Sequence, residues 1–140
     1  MKIGLISCVK QKLDHQSQAR DLYISDLFRK SRAFAEKYYD KYFILSAQYG
    51  LIDPMDYIEP YEFTLIGKKA EQKKVWSEMT SKQVYERIDT DTEIYIHAGN
   101  DYRKYLIPLL ESKGYIVYVP LQGLGIGQQK AWYKKNWECD

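Results

Sequence analysis

Short apolar runs alternate along this chain with longer stretches in which apolar residues recur at helical spacing. Lys2–Ser7, Tyr42–Ser46, Glu93–His97 and Tyr115–Val119 read as strands bounded by polar residues. After Ser25, a fitting cap, the residues Leu27, Phe28, Ser31, Phe34, Ala35 and Tyr38 trace one face of a helix. Lys68–Met79 reads as helical, with Val75, Trp76 and Met79 as its apolar side. Thr80 and Gln83 then predict a capping box for a further helix carrying Val84 and Ile88. Asn100 or Asp101 opens a helix with Tyr102, Tyr105, Leu106, Leu109 and Leu110 inward; Pro108 predicts a kink or a restart within it, and Gly114 its end. A last helix follows Gly123-Leu-Gly-Ile-Gly127 and runs through Trp132, Tyr133 and Trp137. The segment from Cys8 to Tyr23 reads as polar and irregular.

Strands alternating with helices predict an α/β fold: a single three-layer domain over residues 1–140, with a small, mostly parallel sheet of about four strands flanked by helices. At 140 residues the chain is long enough to bury about two-thirds of its unfolded surface. Ligands of such sheets bind outside the carboxyl ends of the strands, so the residues following each strand are the informative ones. They are Ser7, Cys8 and Lys12; Ser46, Tyr49 and Gly50; His97, Gly99 and Asn100; and Gln122, Gly123, Gly125 and Gly127. All four ends carry small or chemically capable residues.

Between the second strand and the next helix lies Leu45–Leu65, with four carboxylates (Asp53, Asp56, Glu59, Glu62), three tyrosines (Tyr49, Tyr57, Tyr61) and two prolines (Pro54, Pro60). The prolines exclude a regular helix or an interior strand, and the aromatics give the segment something to bury. It reads as an ordered, functional loop.

Within it, Leu45-Ser46, Tyr49-Gly50, Pro54, Asp56 and Pro60-Tyr61 resemble at identical spacing the signature of the YaaA-like proteins, which are linked to peroxide stress. Small phage and bacterial relatives of unassigned function look similar over nearly the whole chain. A more distant resemblance is to the lysine-transferring domain of archaeosine synthase, carried by Cys8-Val-Lys-Gln-Lys12 and Ser17; that signature ends in Ser-His, where this chain has Ala19 and Arg20. These resemblances imply chemistry on a nucleotide or nucleobase and raise Lys12 as a catalytic or anion-binding lysine. YaaA-like proteins are associated with DNA binding through a helix-hairpin-helix element, of which this chain shows no clear counterpart.

The residues themselves leave alternatives open. Cys8 beside Lys10 and Lys12 suits a nucleophile, or a small buried thiol closing a strand. One of Asp53, Asp56 or Glu59 suits an acid, a base or a ribose anchor, or else turn chemistry around the prolines, which fits Asp53 best; the YaaA-like resemblance is what favours Asp56. Bare amides in Gly123–Gly127 before a helix suit an anion, or close packing on the sheet. His97 suits proton transfer near neutrality, or a structural contact to a carbonyl. Apolar residues at 45%, charged residues at 29% and a net charge of +2 describe an ordinary globular chain without a global field demanding nucleic acid. Lysine runs at 68–74 and 130–135 keep nucleic acid as a further partner. Cys8 and Cys139 lack metal-ligand spacing, and no apolar run suits a signal peptide or a membrane span. The expectation is a cytoplasmic, metal-free protein without cofactor. Its pocket would hold a nucleotide or nucleobase-like molecule, with Cys8, Lys12 and Asp56 in the chemistry and Ser7, Ser46, Tyr49, Gly50, Tyr61, His97, Gly99, Asn100, Gln122, Gly123, Gly125 and Gly127 around it. The competing expectations are a non-catalytic nucleic-acid-binding stress protein and a binding protein that sequesters a nucleotide.

Overall fold

The computed structural model describes residues 1–7 and 12–138, with the side chains of 137 and 138 excepted. The elements run β1 (Lys2–Ser7), β2 (Ser17–Gln18), α1 (Ala19–Leu22), α2 (Asp26–Tyr38), β3 (Lys41–Ser46), β4 (Gly50–Ile52), β5 (Tyr57–Ile58), α3 (Ala70–Arg87), β6 (Glu93–His97), α4 (Asn100–Arg103), α5 (Leu106–Ser112), β7 (Ile116–Tyr118) and α6 (Ile126–Glu138). The main sheet has the order β4-β3-β1-β6-β7, with β3, β1, β6 and β7 parallel and β4 antiparallel on one edge. From central β1 the chain winds first to β3 and later crosses to β6 on the other side. Such a reversal opens a crevice at the strands' carboxyl ends.

The near-continuous apolar runs of β1 and β3 follow from burial on both faces. Ile3, Leu5, Phe43, Leu45, Ile94 and Ile96 pack on Trp76, Val84, Tyr102, Leu106 and Leu110 of α3, α4 and α5. On the opposite face Ile6, Tyr42 and Ile44 meet Leu22, Phe28 and Ala35 of α1 and α2, and Phe34 reaches Tyr133 of α6. Ser25 caps α2 by accepting from the Phe28 N–H at 3.2 Å.

The structure corrects the sequence reading in four places. Thr80 does not restart a helix: α3 is continuous, and its buried face is Trp76, Ser77, Thr80, Ser81 and Val84, while Val75 is 62% exposed. Trp76, Val84 and Ile88 are buried as the spacing predicts, but Val75 and Met79 are exposed, and the residues that complete the buried face are small and polar. Gln83 is drawn away from any capping role, because its side-chain oxygen accepts from the Leu51 N–H at 2.8 Å and its amide donates to the Tyr49 carbonyl at 3.2 Å. The central loop contains two short strands: β4, which adds a fifth strand to the sheet before Pro54, and β5, which pairs with β2. Finally, residues 12–22, which read as irregular, contain β2 and α1, while the rest of that segment, 8–11, lies outside the described residues. Lys12 bridges to Tyr23, the Leu13 N–H donates to the Leu22 carbonyl at 2.8 Å, and Ala19, Leu22 and Tyr23 are buried. Near Pro108 the helix does restart, as α4 ends at Arg103 and α5 begins at Leu106.

Gly50 turns the chain from β3 into β4 at φ +78°, and a Cβ there would stand 2.2 Å from the Gln83 side-chain oxygen. Gly50→Ala therefore carries both a left-handed backbone cost of about 1–2 kcal/mol and a collision. In urea unfolding it destabilises by at least that amount. Combined with Gln83→Ala, which removes the collision, its cost falls below the sum of the two single changes.

Candidate functional site

Ser46 ends β3 fully buried, and its hydroxyl uses its donor and both of its acceptor positions. Its hydroxyl oxygen accepts from the N–H groups of Gln48 and Tyr49, at 3.2 and 3.0 Å, and its proton goes to the Tyr61 hydroxyl at 2.9 Å. Its carbonyl accepts from the Trp76 indole at 2.9 Å. The Tyr61 hydroxyl lies 2.7 Å from that of Tyr23, and the Tyr49 ring meets the Tyr61 ring edge-on, with centroids 5.5 Å apart. Strand end, central loop and the segment before α2 thus converge on one phenol.

Above it, the Lys12 ammonium sits 4.3 Å from the Tyr61 ring centroid and 5.9 Å from that of Tyr23. Cation–π attraction, and the backbone bridge from Lys12 to Tyr23, fix the ammonium's place. Among the described residues no carboxylate stands within ion-pair distance of it. Lys12 and Tyr61 form part of the wall of a cavity of about 900 Å³, whose other walls include Phe63, Thr64, Ile66 and Tyr102, with Asp14 and Glu62. Its size and aromatic lining suit a planar organic ligand.

A second, smaller cavity of about 270 Å³ opens at the ends of β6 and β7, and Ala98, Gly99, Asn100, Arg103, Gly123 and Gln129 are among the residues around it. His97 lies at its floor, clamped between two phenols: Nε2 is 2.5 Å from the Tyr39 hydroxyl and Nδ1 is 2.7 Å from that of Tyr133. A neutral imidazole, with one N–H and one lone pair, satisfies both. Burial lowers the His97 pKa to about 4 and raises those of Tyr39 and Tyr133 above the usual phenol value, so all three are uncharged at neutral pH. The Tyr39 ring lies over Gly4, where a Cβ would come 2.5 Å from its Cδ2 atom. His97 is therefore a tie between β6, the end of α2 and α6. The helix α4 separates the two cavities, with Tyr102 on the larger and Asn100 and Arg103 on the smaller.

The remaining sequence candidates fall elsewhere. Ser7 is buried at the end of β1, and Cys8 lies outside the described residues. Asp56 is not with Lys12: its carboxylate accepts from the Asp53 N–H at 3.2 Å, its carbonyl accepts from the Ala19 N–H at 2.7 Å, and it borders a shallow groove with Lys41, Phe43 and Arg87. That groove lies at the start of β3, because β4 carries the chain back along the sheet. Gln122, Gly125 and Gly127 line neither cavity, and the Gly125 amide is taken by the Gln128 side chain at 2.9 Å. Close packing does not explain the other glycines, since a Cβ on Gly99, Gly123 or Gly127 would meet nothing within 4 Å. Tyr23, Tyr102 and Arg103 are not among the site residues that the sequence suggests, although Tyr102 reads as inward; the spacing of Ala19, Leu22 and Tyr23 is the available signal for the first.

The lysine runs are largely engaged. Lys73 pairs with Asp101 at 2.6 Å, Lys130 with Asp26 at 3.5 Å, and Lys68 and Lys74 lie over the rings of Phe63 and Tyr105. Among the described residues no cluster of His, Cys, Asp and Glu could hold a metal ion, and no helix is long and apolar enough to cross a membrane.

The lowered His97 pKa makes stability pH-dependent. In the unfolded chain the imidazole takes up a proton below about pH 6.5, and in the fold only below about pH 4. Stability therefore falls as pH drops through that window, by about 3 kcal/mol in all from this group. His97→Gln flattens that part of the profile when urea unfolding is compared from pH 7 to pH 4, although it costs stability at pH 7.

Over residues 3–135 the chain matches the model of a family of unknown function, DUF6884. No curated protein and no solved structure matches it. The match spans the sheet from β1 through most of α6, so the chain belongs to the DUF6884 family.

Proposed function

We propose that the larger cavity binds a nucleotide, nucleoside or nucleobase, and that the protein is an enzyme acting on it by group transfer or by hydrolysis of a glycosidic or amide bond. The observation that carries the reading is the Lys12 ammonium, held over the Tyr61 ring at the wall of an aromatic-lined cavity beside the strand ends. Aromatic faces accept a base by stacking, and an ammonium with no carboxylate partner among the described residues suits an anionic or electron-rich atom of the ligand. The resemblance to YaaA-like proteins supports the same reading. Four positions of that pattern, Ser46, Tyr49, Gly50 and Tyr61, gather at the end of β3, and Ser46, Tyr49 and Tyr61 contact one another there. In this reading Lys12 is the reacting or charge-stabilising group. Tyr61, oriented by Ser46, holds the ligand and passes or accepts a hydrogen bond.

Calorimetry and thermal shift with nucleotides, nucleosides and deazaguanine-type bases, at two salt concentrations, test this. A ligand is expected that binds with little salt dependence, and Lys12→Ala weakens it by about tenfold or more. Tyr61→Phe keeps the ring under the ammonium but removes the hydroxyl; it lowers turnover more than affinity. Binding of nucleic acid alone, weakening steeply with salt, would overturn the reading.

A further inference from the structure

The smaller cavity has a chemistry of its own. Arg103 borders it, with Nη1 donating to the Ala98 carbonyl at 2.8 Å. That bond fixes one arm of the guanidinium fork against the end of β6 and leaves the rest of a five-donor group to be satisfied. Among the described residues no carboxylate is within ion-pair distance of Arg103, whereas Arg20 and Arg32 both have one. None of the residues lining the cavity is Asp or Glu, and Arg103 is the one side chain there that carries a full charge at neutral pH, since the neighbouring imidazole is held neutral. The walls around the guanidinium are apolar (Ile96, Val119, Leu121) or offer amide donors, as Asn100 does. At about 270 Å³ the space is below the usual range for a drug-sized ligand, yet ample for one charged group and its nearest atoms. Gly99 and Gly123 leave their side of it open.

We infer that this cavity is an oxyanion site, in which Arg103 receives a phosphate or carboxylate group at the carboxyl ends of β6 and β7. A guanidinium suits such a group because two parallel N–H donors match two oxygens, and low-polarity walls strengthen the attraction. The assignment differs from the sequence expectation that glycine amides hold the anion: the charge comes from α4. It also stands apart from the reading of the Lys12 cavity, because the two cavities have no lining residue in common.

The test is a titration of the full chain with inorganic phosphate, and separately with acetate, at constant ionic strength, followed by amide chemical shifts. Saturable shifts centred on Gly99, Asn100 and Gly123 are expected. Arg103→Gln weakens the binding about tenfold or more, Arg103→Lys by less, and Lys113→Ala, a remote charge change, not at all. The response to the two ions tells which oxyanion the fork prefers. Should Arg103→Gln not fold, Asn100→Ala provides the second variant and is expected to weaken the same shifts. Shifts that never saturate, that spread over surface lysines, or that persist in Arg103→Gln would overturn the inference. Failure of Lys12→Ala to alter nucleotide binding would bear only on the larger cavity.

Discussion

A buried hydroxyl whose donor and acceptor positions are all occupied gives its neighbours little freedom to shift, and Ser46 is such a group. Leaving any one of those partners unpaired in the interior would cost on the order of 1–3 kcal/mol. The same residue receives the indole of α3 through its carbonyl and the turn amides through its oxygen, and it hands its proton to Tyr61. Sheet, helical layer and central loop are thereby placed relative to one another by a single residue. The geometry of the larger cavity follows, since Tyr61 in turn supports the ammonium of Lys12.

The fourteen tyrosines acquire a physical meaning in this setting. Many close small polar knots that would otherwise be left inside an apolar layer: Tyr39 and Tyr133 on His97, Tyr23 on Tyr61, Tyr115 on the Ile88 carbonyl at 2.5 Å. Tyr39 also begins a stacked row over the β6–β7 half of the sheet, Tyr39 on Tyr95 and Tyr95 on Tyr118. A ring with a hydroxyl at its tip covers apolar surface and satisfies a polar atom with one side chain. That economy suits a chain of this size, where core volume is limited.

The layers were legible from the sequence because strands buried on both faces must be apolar throughout, and because α2 has an amphipathic face beginning at a serine cap. The α3 face was legible only in part: Trp76 and Val84 are buried as their spacing predicts, but Ser77, Thr80 and Ser81 share that buried face, and small polar residues leave no apolar signal. The candidate site was partly legible. Strand-end reasoning reaches Lys12, Ser46, His97, Gly99, Asn100 and Gly123, and the YaaA-like pattern adds Tyr61; all of these lie in or beneath one of the two cavities. That pattern also brings in Asp56, because position along the chain does not reveal that β4 doubles back and carries that carboxylate to the other end of β3. Arg103 escaped notice because nothing in a helical pattern distinguishes a guanidinium that faces a cavity from one that faces water.

One turn of helix, α4, supplies Tyr102 to one cavity and Arg103 to the other. It is held at its start by the packing of Tyr102 on Trp76, with ring centroids 5.4 Å apart, and by the Lys73–Asp101 ion pair. A rigid partition only a single turn thick has no means of moving on one side alone. An occupant of one cavity that displaced that turn would move a residue lining the other, and the free energy of such a coupling would be the same whichever cavity filled first.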